Sequence, residues 1–176
     1  MFGIYGKVSI NQVCSRCELN RSNFKALSNE NNRISMVCSG EIYNFQELRD
    51  NLKKKGHLFR SGESAEVIIH LYEELGIVKC VNQLRGTFAF AIWDENRQRL
   101  ILARDHLGQK PLNYILQDGN LIFASEMKTI LQDSAVKREV DLAALHNYLT
   151  YQYVYLNQET FFLKTTLQLL RKMADV

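Results

Sequence analysis

Leu84-Arg85-Gly86-Thr87-Phe88-Ala89-Phe90-Ala91-Ile92-Trp93-Asp94 is the stretch on which the fold turns. Phe88, Phe90 and Ile92 alternate with Thr87, Ala89, Ala91 and Trp93, the period of two that sends successive side chains to opposite faces of a strand. Because the alanines are apolar too, both faces read as buried. Asp94-Glu95-Asn96 then turns the chain and 100–103 returns it, the pattern of a hairpin.

Downstream, Gly108, Pro111 and Gly119 punctuate two more short strands, at 113–116 and 121–124. Helical signals follow at 126–131 and at 142–148, the second with Asp141 as N-cap. Upstream, 11–32 is rich in Asn, Ser and charge and reads as loop, and 34–38 reads as a strand ending in a tight turn at Ser39-Gly40. Phe45, Leu48 and Leu52 predict a helix over 45–55, with Asn44 as N-cap and Gly56 as its stop. A second helix is expected over 64–75, with Val67, Ile68, Leu71, Tyr72 and Leu75 inward and Gly76 closing it, and a third over 78–84. Within 160–176, Leu163, Leu167, Leu170 and Met173 fall at helical spacing, so 156–176 reads as a divergent docking helix or tail. Hairpin-joined strands with helices before and after argue for an α+β fold of antiparallel sheet covered by helices, not a doubly wound parallel one.

At 176 residues, with 46% hydrophobic and 23% charged residues, the composition is that of one globular domain with a substantial core. The net charge of +3 is mild and its basic residues are scattered, which leaves no nucleic-acid footprint. No apolar stretch reaches membrane-spanning length and the opening lacks a secretory pattern, so the expected location is cytoplasmic and the expected cysteines reduced. Cys14-Ser15-Arg16-Cys17 has zinc-knuckle spacing but supplies only two of four ligands, and His57, His70, His106 and His146 are far apart along the chain. No metal site is read from the sequence. Arg104-Asp105-His106 invites a catalytic reading, yet neighbours in a strand point to opposite faces, and a structural role for Arg104 and Asp105 is the expectation.

Four collinear segments carry a resemblance. Ser39-Gly40-Glu41-Ile42-Tyr43-Asn44-Phe45, then Gly56-His57-Leu58-Phe59-Arg60-Ser61 with Glu66-Val67-Ile68-Ile69-His70-Leu71-Tyr72, then the strand quoted above, and finally Ala103-Arg104-Asp105-His106-Leu107-Gly108-Gln109-Lys110-Pro111-Leu112 with Phe123-Ala124-Ser125-Glu126-Met127-Lys128. Together they resemble the N-terminal, class II glutamine amidotransferase domain of the glutamine-hydrolysing asparagine synthetase family, most clearly over 36–153 within a domain of 1–155. The resemblance implies a four-layer α/β/β/α sandwich of antiparallel sheets, the fold of N-terminal-nucleophile hydrolases. Because the segment between Gly6 and Ile34 is short by comparison, a truncated version is expected. It also implies a parent reaction, in which an N-terminal thiolate attacks the side-chain amide of glutamine and ammonia passes to a separate synthetase domain that makes asparagine.

Several positions depart from the family pattern. The opening Met1-Phe2-Gly3-Ile4-Tyr5-Gly6 is similar to the family's Met-Cys-Gly-Ile-x-Gly, with Phe2 where the nucleophilic cysteine belongs, so no catalytic residue is assigned. Phe2 is also expected to block removal of Met1. The oxyanion-hole positions fall on Ser39, in place of asparagine, and Gly40. The glutamine-binding positions fall on Ser39, Gly40, Glu41 and Ser64, the last in place of an aspartate. Ser64 also reads as the N-cap of the following helix. The family's carboxylate-clamping arginine lies in the shortened region, where Arg16, Arg21 and Arg33 are the conceivable substitutes.

The resulting expectation is a glutaminase-like domain whose own hydrolysis is lost. The alternatives are a non-catalytic docking or regulatory module for a separate synthetase domain, or a decayed gene product. L-glutamine, such a synthetase domain and a second copy of the chain are the expected partners. No cofactor is expected in this chain, since ATP and Mg belong to the family's synthetase domain. Tyr148, Tyr151, Tyr153 and Tyr155 read as core packing or as the surface where that domain docks.

Overall fold

A computed structural model of the chain describes residues 3–9, 18–21, 26–152, 167–169 and 174–175. Phe2, Cys14, Arg16, Cys17, Tyr153 and Tyr155 lie outside the described residues.

Strand β5 (Gly86–Asp94) lies inside a sheet, hydrogen-bonded to β4 (Ile34–Ile42) on one side and to β6 (Arg99–Arg104) on the other. The hairpin closes with Asp94 opposite Arg99. Residues 89 to 92 of β5 are all 0% exposed, so both faces are buried as the apolar alternation implied. The two faces meet different neighbours. Phe88, Phe90 and Ile92 join a core with Met36, Cys38, Leu48, Leu52, Ile68 and Tyr72, the contribution of the helices α1 (Phe45–Lys54) and α2 (Glu66–Gln83). Ala89 and Ala91 join a second core with Val37, Leu100, Leu102, Leu112, Leu121 and Phe123.

That second core is shared with another sheet. Strand β1 (Ile4–Ser9) contributes Ile4 and Val8 to it, and β8 (Asn120–Ala124) contributes Leu121 and Phe123. The first sheet has the order β2-β1-β8-β7-β9, with β2 at Glu18–Arg21, β7 at Asn113–Gln117 and β9 at Leu167–Leu169. The second has the order β10-β6-β5-β4-β3, with β3 at Leu27–Ser28 and β10 at Ala174–Asp175. Every pairing is antiparallel. On the outer face of the first sheet, Ile115, Ile122 and Ala124 pack with Ile130 of helix α3 (Met127–Gln132). The layers therefore run helix, sheet, sheet, helix, and each apolar face of each sheet finds a partner. Burying Phe90 or Phe123, both 0% exposed, contributes on the order of 2–3 kcal/mol each.

The helices follow the local signals with instructive exceptions. Gly76, at φ 72 and ψ 169, breaks α2 where the sequence placed the boundary between two helices. Helix α4 (Leu142–Tyr151) begins at Asp141, whose carboxylate accepts from the amides of Ala143 at 2.9 Å and Ala144 at 3.1 Å. Asn44 precedes α1 but makes no side-chain cap. It donates from Nδ2 to the Gln83 carbonyl at 2.9 Å and accepts from the Arg85 amide at 3.0 Å, tying the two ends of the α1–α2 unit together.

Three expectations are corrected. Strand β4 does not stop at Ser39-Gly40 but continues to Ile42, because β5 offers pairing partners as far as Gly86. Ser64 does not cap α2, whose N-cap position is Ala65; the Ser64 hydroxyl instead accepts from the Ile42 amide at 3.5 Å. Within 156–176 the described residues are the edge strands β9 and β10, not helix: Leu167–Leu169 pairs with β7 and Ala174–Asp175 with β6. Leu163, Leu170 and Met173 of the expected helix lie outside the described residues.

Candidate functional site

Along β4 the side chains alternate between the two cores: Met36 and Cys38 face the helices, and Val37 faces the other sheet. Ser39 and Glu41 continue the Val37 side past the end of the packed layer, and Thr87 does the same for the Ala89 side of β5. A cleft of about 670 Å³ opens there, lined by Gly3, Ser39, Gly40, Glu41, Thr87 and the loop residues described below.

Gly40 is a requirement of this geometry. Its φ is 120°, and a β-carbon at that position would lie 2.0 Å from the Thr87 carbonyl oxygen. The opposite wall begins at Gly3, which is set in place by Ser125. The Ile4 amide donates to Ser125 Oγ at 3.0 Å and the Ser125 amide to the Ile4 carbonyl at 2.9 Å, so the start of β1 and the end of β8 are clamped together.

The third side is a loop built on one carboxylate. Asp105, 6% exposed, accepts from the amides of Phe88 at 3.3 Å, Leu107 at 3.0 Å, Gln109 at 3.1 Å and Lys110 at 3.3 Å. Burial works to raise its pKa, yet the Gln109, Lys110, Phe88 and Leu107 amides together hold it below the usual carboxylate value. Gly108, at φ 64, lies against the Arg104 guanidinium, where a β-carbon would come within 3.0 Å of Cζ. Arg104 and Asp105 therefore shape the loop, as expected, while His106 is exposed on it. The loop delivers Gln109, Lys110 and Pro111 to the cleft, and Glu126 completes the rim beside Ser125.

Of the positions singled out from sequence, Ser39, Gly40 and Glu41 meet in this cleft and Ser64 does not line it. Phe2, next to Gly3, lies outside the described residues. Thr87, Gln109, Lys110, Ser125 and Glu126 were missed as site residues, although each sits in one of the quoted motifs. Arg33 is committed elsewhere, to Glu95 at 3.0 Å, and among the described residues no arginine lines the cleft. The described cysteines, Cys38 and Cys80, are both buried in the helix-facing core, and burial pushes the Cys80 thiol up to about 12. No thiol among the described residues lines the cleft.

What can this arrangement do? A carboxylate at Glu41, a hydroxyl at Ser39, and Lys110 with Glu126 at the rim suit a small zwitterionic ligand that offers both charges. The site holds polar binding groups without a described activated nucleophile.

Comparisons with known proteins agree with the geometry. The family model described as a glutamine amidotransferase domain matches residues 15–171. Asparagine synthetase (glutamine-hydrolyzing) 3 of Bacillus subtilis is 41% identical over 111 residues, 63% of this chain and 18% of that protein. Asparagine synthetase (glutamine-hydrolyzing) 3 of Arabidopsis thaliana is 48% identical over 109 residues, 61% of this chain and 18% of that protein. The chain thus spans less than a fifth of the length of these curated relatives. Among solved structures, the glutamine phosphoribosylpyrophosphate amidotransferase of B. subtilis superposes with a TM-score of 0.57 over 79% of this chain and 39% of the other, at 19% identity. That likeness bears on the fold, and the fold is the layered antiparallel sandwich described above. By its family match and its architecture, this chain belongs to the glutamine amidotransferase domain family.

Proposed function

We propose that this chain is the amidotransferase-type domain of an asparagine synthetase-related protein and that it has lost its own glutamine hydrolysis. The observation that carries the reading is the cleft wall at Gly3. The residue before it, Phe2, occupies the position of the family's nucleophile, and the described thiols are buried on the other face of the sheet. Hydrolysis of a carboxamide through an acyl-enzyme needs an activated nucleophile beside the amide carbon and donors for the oxyanion. Phenylalanine offers no nucleophile. Ser39 replaces a side-chain amide donor of the family with a shorter hydroxyl, and loss of one such donor typically costs about 3 kcal/mol in the transition state. Ser64, at the position of a ligand carboxylate, faces the Ile42 amide.

The cleft keeps Glu41 and Gly40, so glutamine recognition and glutamine hydrolysis separate in this reading. Isothermal titration with L-glutamine tests the first, and mass spectrometry after exposure to a diazoketone glutamine analogue tests the second. A stoichiometric covalent adduct at a cleft residue would overturn the proposal; binding without an adduct is the expected result.

A docking role is favoured by α4. Leu142 and Leu149, seven residues apart and so on one face of the helix, are each 72% exposed. In this reading the face seats a synthetase domain, which would hold ATP and Mg, and a second copy of the chain is the competing occupant. Leu149→Asp is expected to abolish co-purification with a co-expressed synthetase domain while leaving the melting temperature of the isolated chain within a degree or two. Unchanged co-purification would remove α4 from the docking surface.

A further inference from the structure

Away from the cleft, four side chains converge on the helix-covered side of the second sheet. Glu30 comes from the turn between β3 and β4, His57 from the segment after α1, and His70 and Glu73 from α2. One nitrogen or oxygen from each lies within 4.8 Å of all the others. His70 Nδ1 stands 3.6 Å from Glu30 Oε1 and 3.5 Å from Glu73 Oε2, and His57 Nδ1 stands 3.8 Å from the same Glu30 oxygen. A tetrahedral shell with bonds of about 2.0–2.1 Å has edges of about 3.4 Å, close to these separations.

A second observation is independent of that grouping. His70 is 1% exposed, and neither of its ring nitrogens has a hydrogen-bond partner; Glu73 Oε2 is likewise buried and unpartnered. Buried polar atoms without partners are rare in folded proteins, and here two of them, His70 Nδ1 and Glu73 Oε2, face each other at 3.5 Å.

The surroundings hold each of the four in place. His57 Nε2 faces Glu74 Oε1 at 3.2 Å, and Glu74 is fixed by Lys55 at 2.7 Å. His70 Nε2 faces Glu66 Oε1 at 3.9 Å, and Glu66 is fixed by the amides of Arg60 at 2.7 Å and Ser61 at 2.9 Å. The Glu74 carboxylate behind His57 favours the tautomer that keeps the proton on Nε2 and aims the Nδ1 lone pair inward, and His70 Nδ1 faces the Glu30 and Glu73 oxygens directly. Glu73 Oε1 accepts from Asn29 Nδ2 at 2.6 Å, which leaves Oε2 for the centre, and Glu30 Oε1 accepts from the Leu58 amide at 3.0 Å. The Phe59 ring, 4.5 Å from that of His70, covers the cluster with apolar surface.

We propose that Glu30, His57, His70 and Glu73 form a binding site for a divalent transition-metal ion, with zinc the best fit to two imidazoles and two carboxylates in tetrahedral array. Two carboxylates balance the charge of the ion. All four protein ligands fill the shell, so the site is structural: it ties the turn that launches β4 to helix α2, and it shares no residue with the cleft.

The test uses the full chain, stripped with EDTA and titrated with Zn²⁺ against a chromophoric chelator, with Co²⁺ as a spectroscopic reporter. The expected result is one equivalent per chain and the visible d–d absorption of tetrahedral Co²⁺. His57→Gln and Glu30→Gln alter part-exposed side chains, and the circular dichroism of the stripped variants checks that both fold. Each is expected to weaken binding at least tenfold, the lower end of the about 10–100-fold loss on removing even an outer partner. A Cys14→Ser/Cys17→Ser variant is expected to keep the full equivalent. No saturable zinc in the parent chain, undiminished affinity in both ligand variants, or loss of the ion in the double-cysteine variant would each overturn the assignment.

Discussion

Gly40 and Thr87 approach so closely across β4 and β5 that a β-carbon on Gly40 would sit 2.0 Å from the Thr87 carbonyl oxygen. Both residues line the cleft, so this contact sets its floor. Gly40→Ala must push the strands apart at a backbone atom, and a φ of 120° adds strain that an L side chain cannot relieve. The substitution is expected to cost about 3 kcal/mol or more and to lower glutamine binding, read by urea denaturation and calorimetric titration. A variant of unchanged stability would show that the strand pair is looser than described.

Asp105 gives an acid-side prediction. Its carboxylate is held below its usual value, so it contributes stability that is fully present above its unfolded pKa near 3.9 and is lost as pH falls through the lower folded value. Asp105→Asn removes the charge that serves four amides and is expected to cost about 2–3 kcal/mol at pH 7. The loss should shrink below about pH 4, where the parent loses the same term. Denaturation at pH 7 and pH 3 measures both values, and an equal loss at the two pH values would contradict the role.

Tyr72 gives the alkaline counterpart. Its hydroxyl donates to Asp94 at 2.6 Å, and burial together with the Asp94 charge pushes its pKa up to about 12. The neutral phenol is the native form. Its contribution is therefore complete below the unfolded value of about 10 and is lost as pH rises toward 12, while that of Cys80 is complete only below the unfolded thiol value of about 8.5 and is lost over a window that opens lower. Tyr72→Phe is expected to lower stability by about 2 kcal/mol at pH 7, since Asp94 keeps its 2.8 Å contact with Arg97, and to shallow the decline between about pH 10 and 12.

What was legible in the sequence depended on how local the deciding physics was. The β5 alternation reports directly on two buried faces, and Asp141 caps the helix it immediately precedes. Asn44 and Ser64 carry the same local signal and do otherwise, because Gln83, Arg85 and Ile42 are brought to them by tertiary packing. β4 ran longer than expected for the same reason: its end is set by β5, not by its own residues. In the cleft, the family motifs indicated Ser39, Gly40 and Glu41, whereas Ser125 and Lys110, though inside quoted motifs, reach the cleft through a clamp and a carboxylate-centred loop whose geometry the motifs do not reveal. His57 and His70 were set aside as distant along the chain, yet the packing of the segment after α1 against α2 puts their rings 5.0 Å apart.

Ammonia release from L-glutamine by the purified chain decides whether a cleft with Phe2 at the family's nucleophile position still hydrolyses an amide. No release above a heat-denatured control is expected, with partial recovery in a Phe2→Cys variant processed to expose the cysteine. Sustained glutamine-dependent ammonia from the unmodified chain would contradict the loss of hydrolysis and require a nucleophile other than the residue before Gly3.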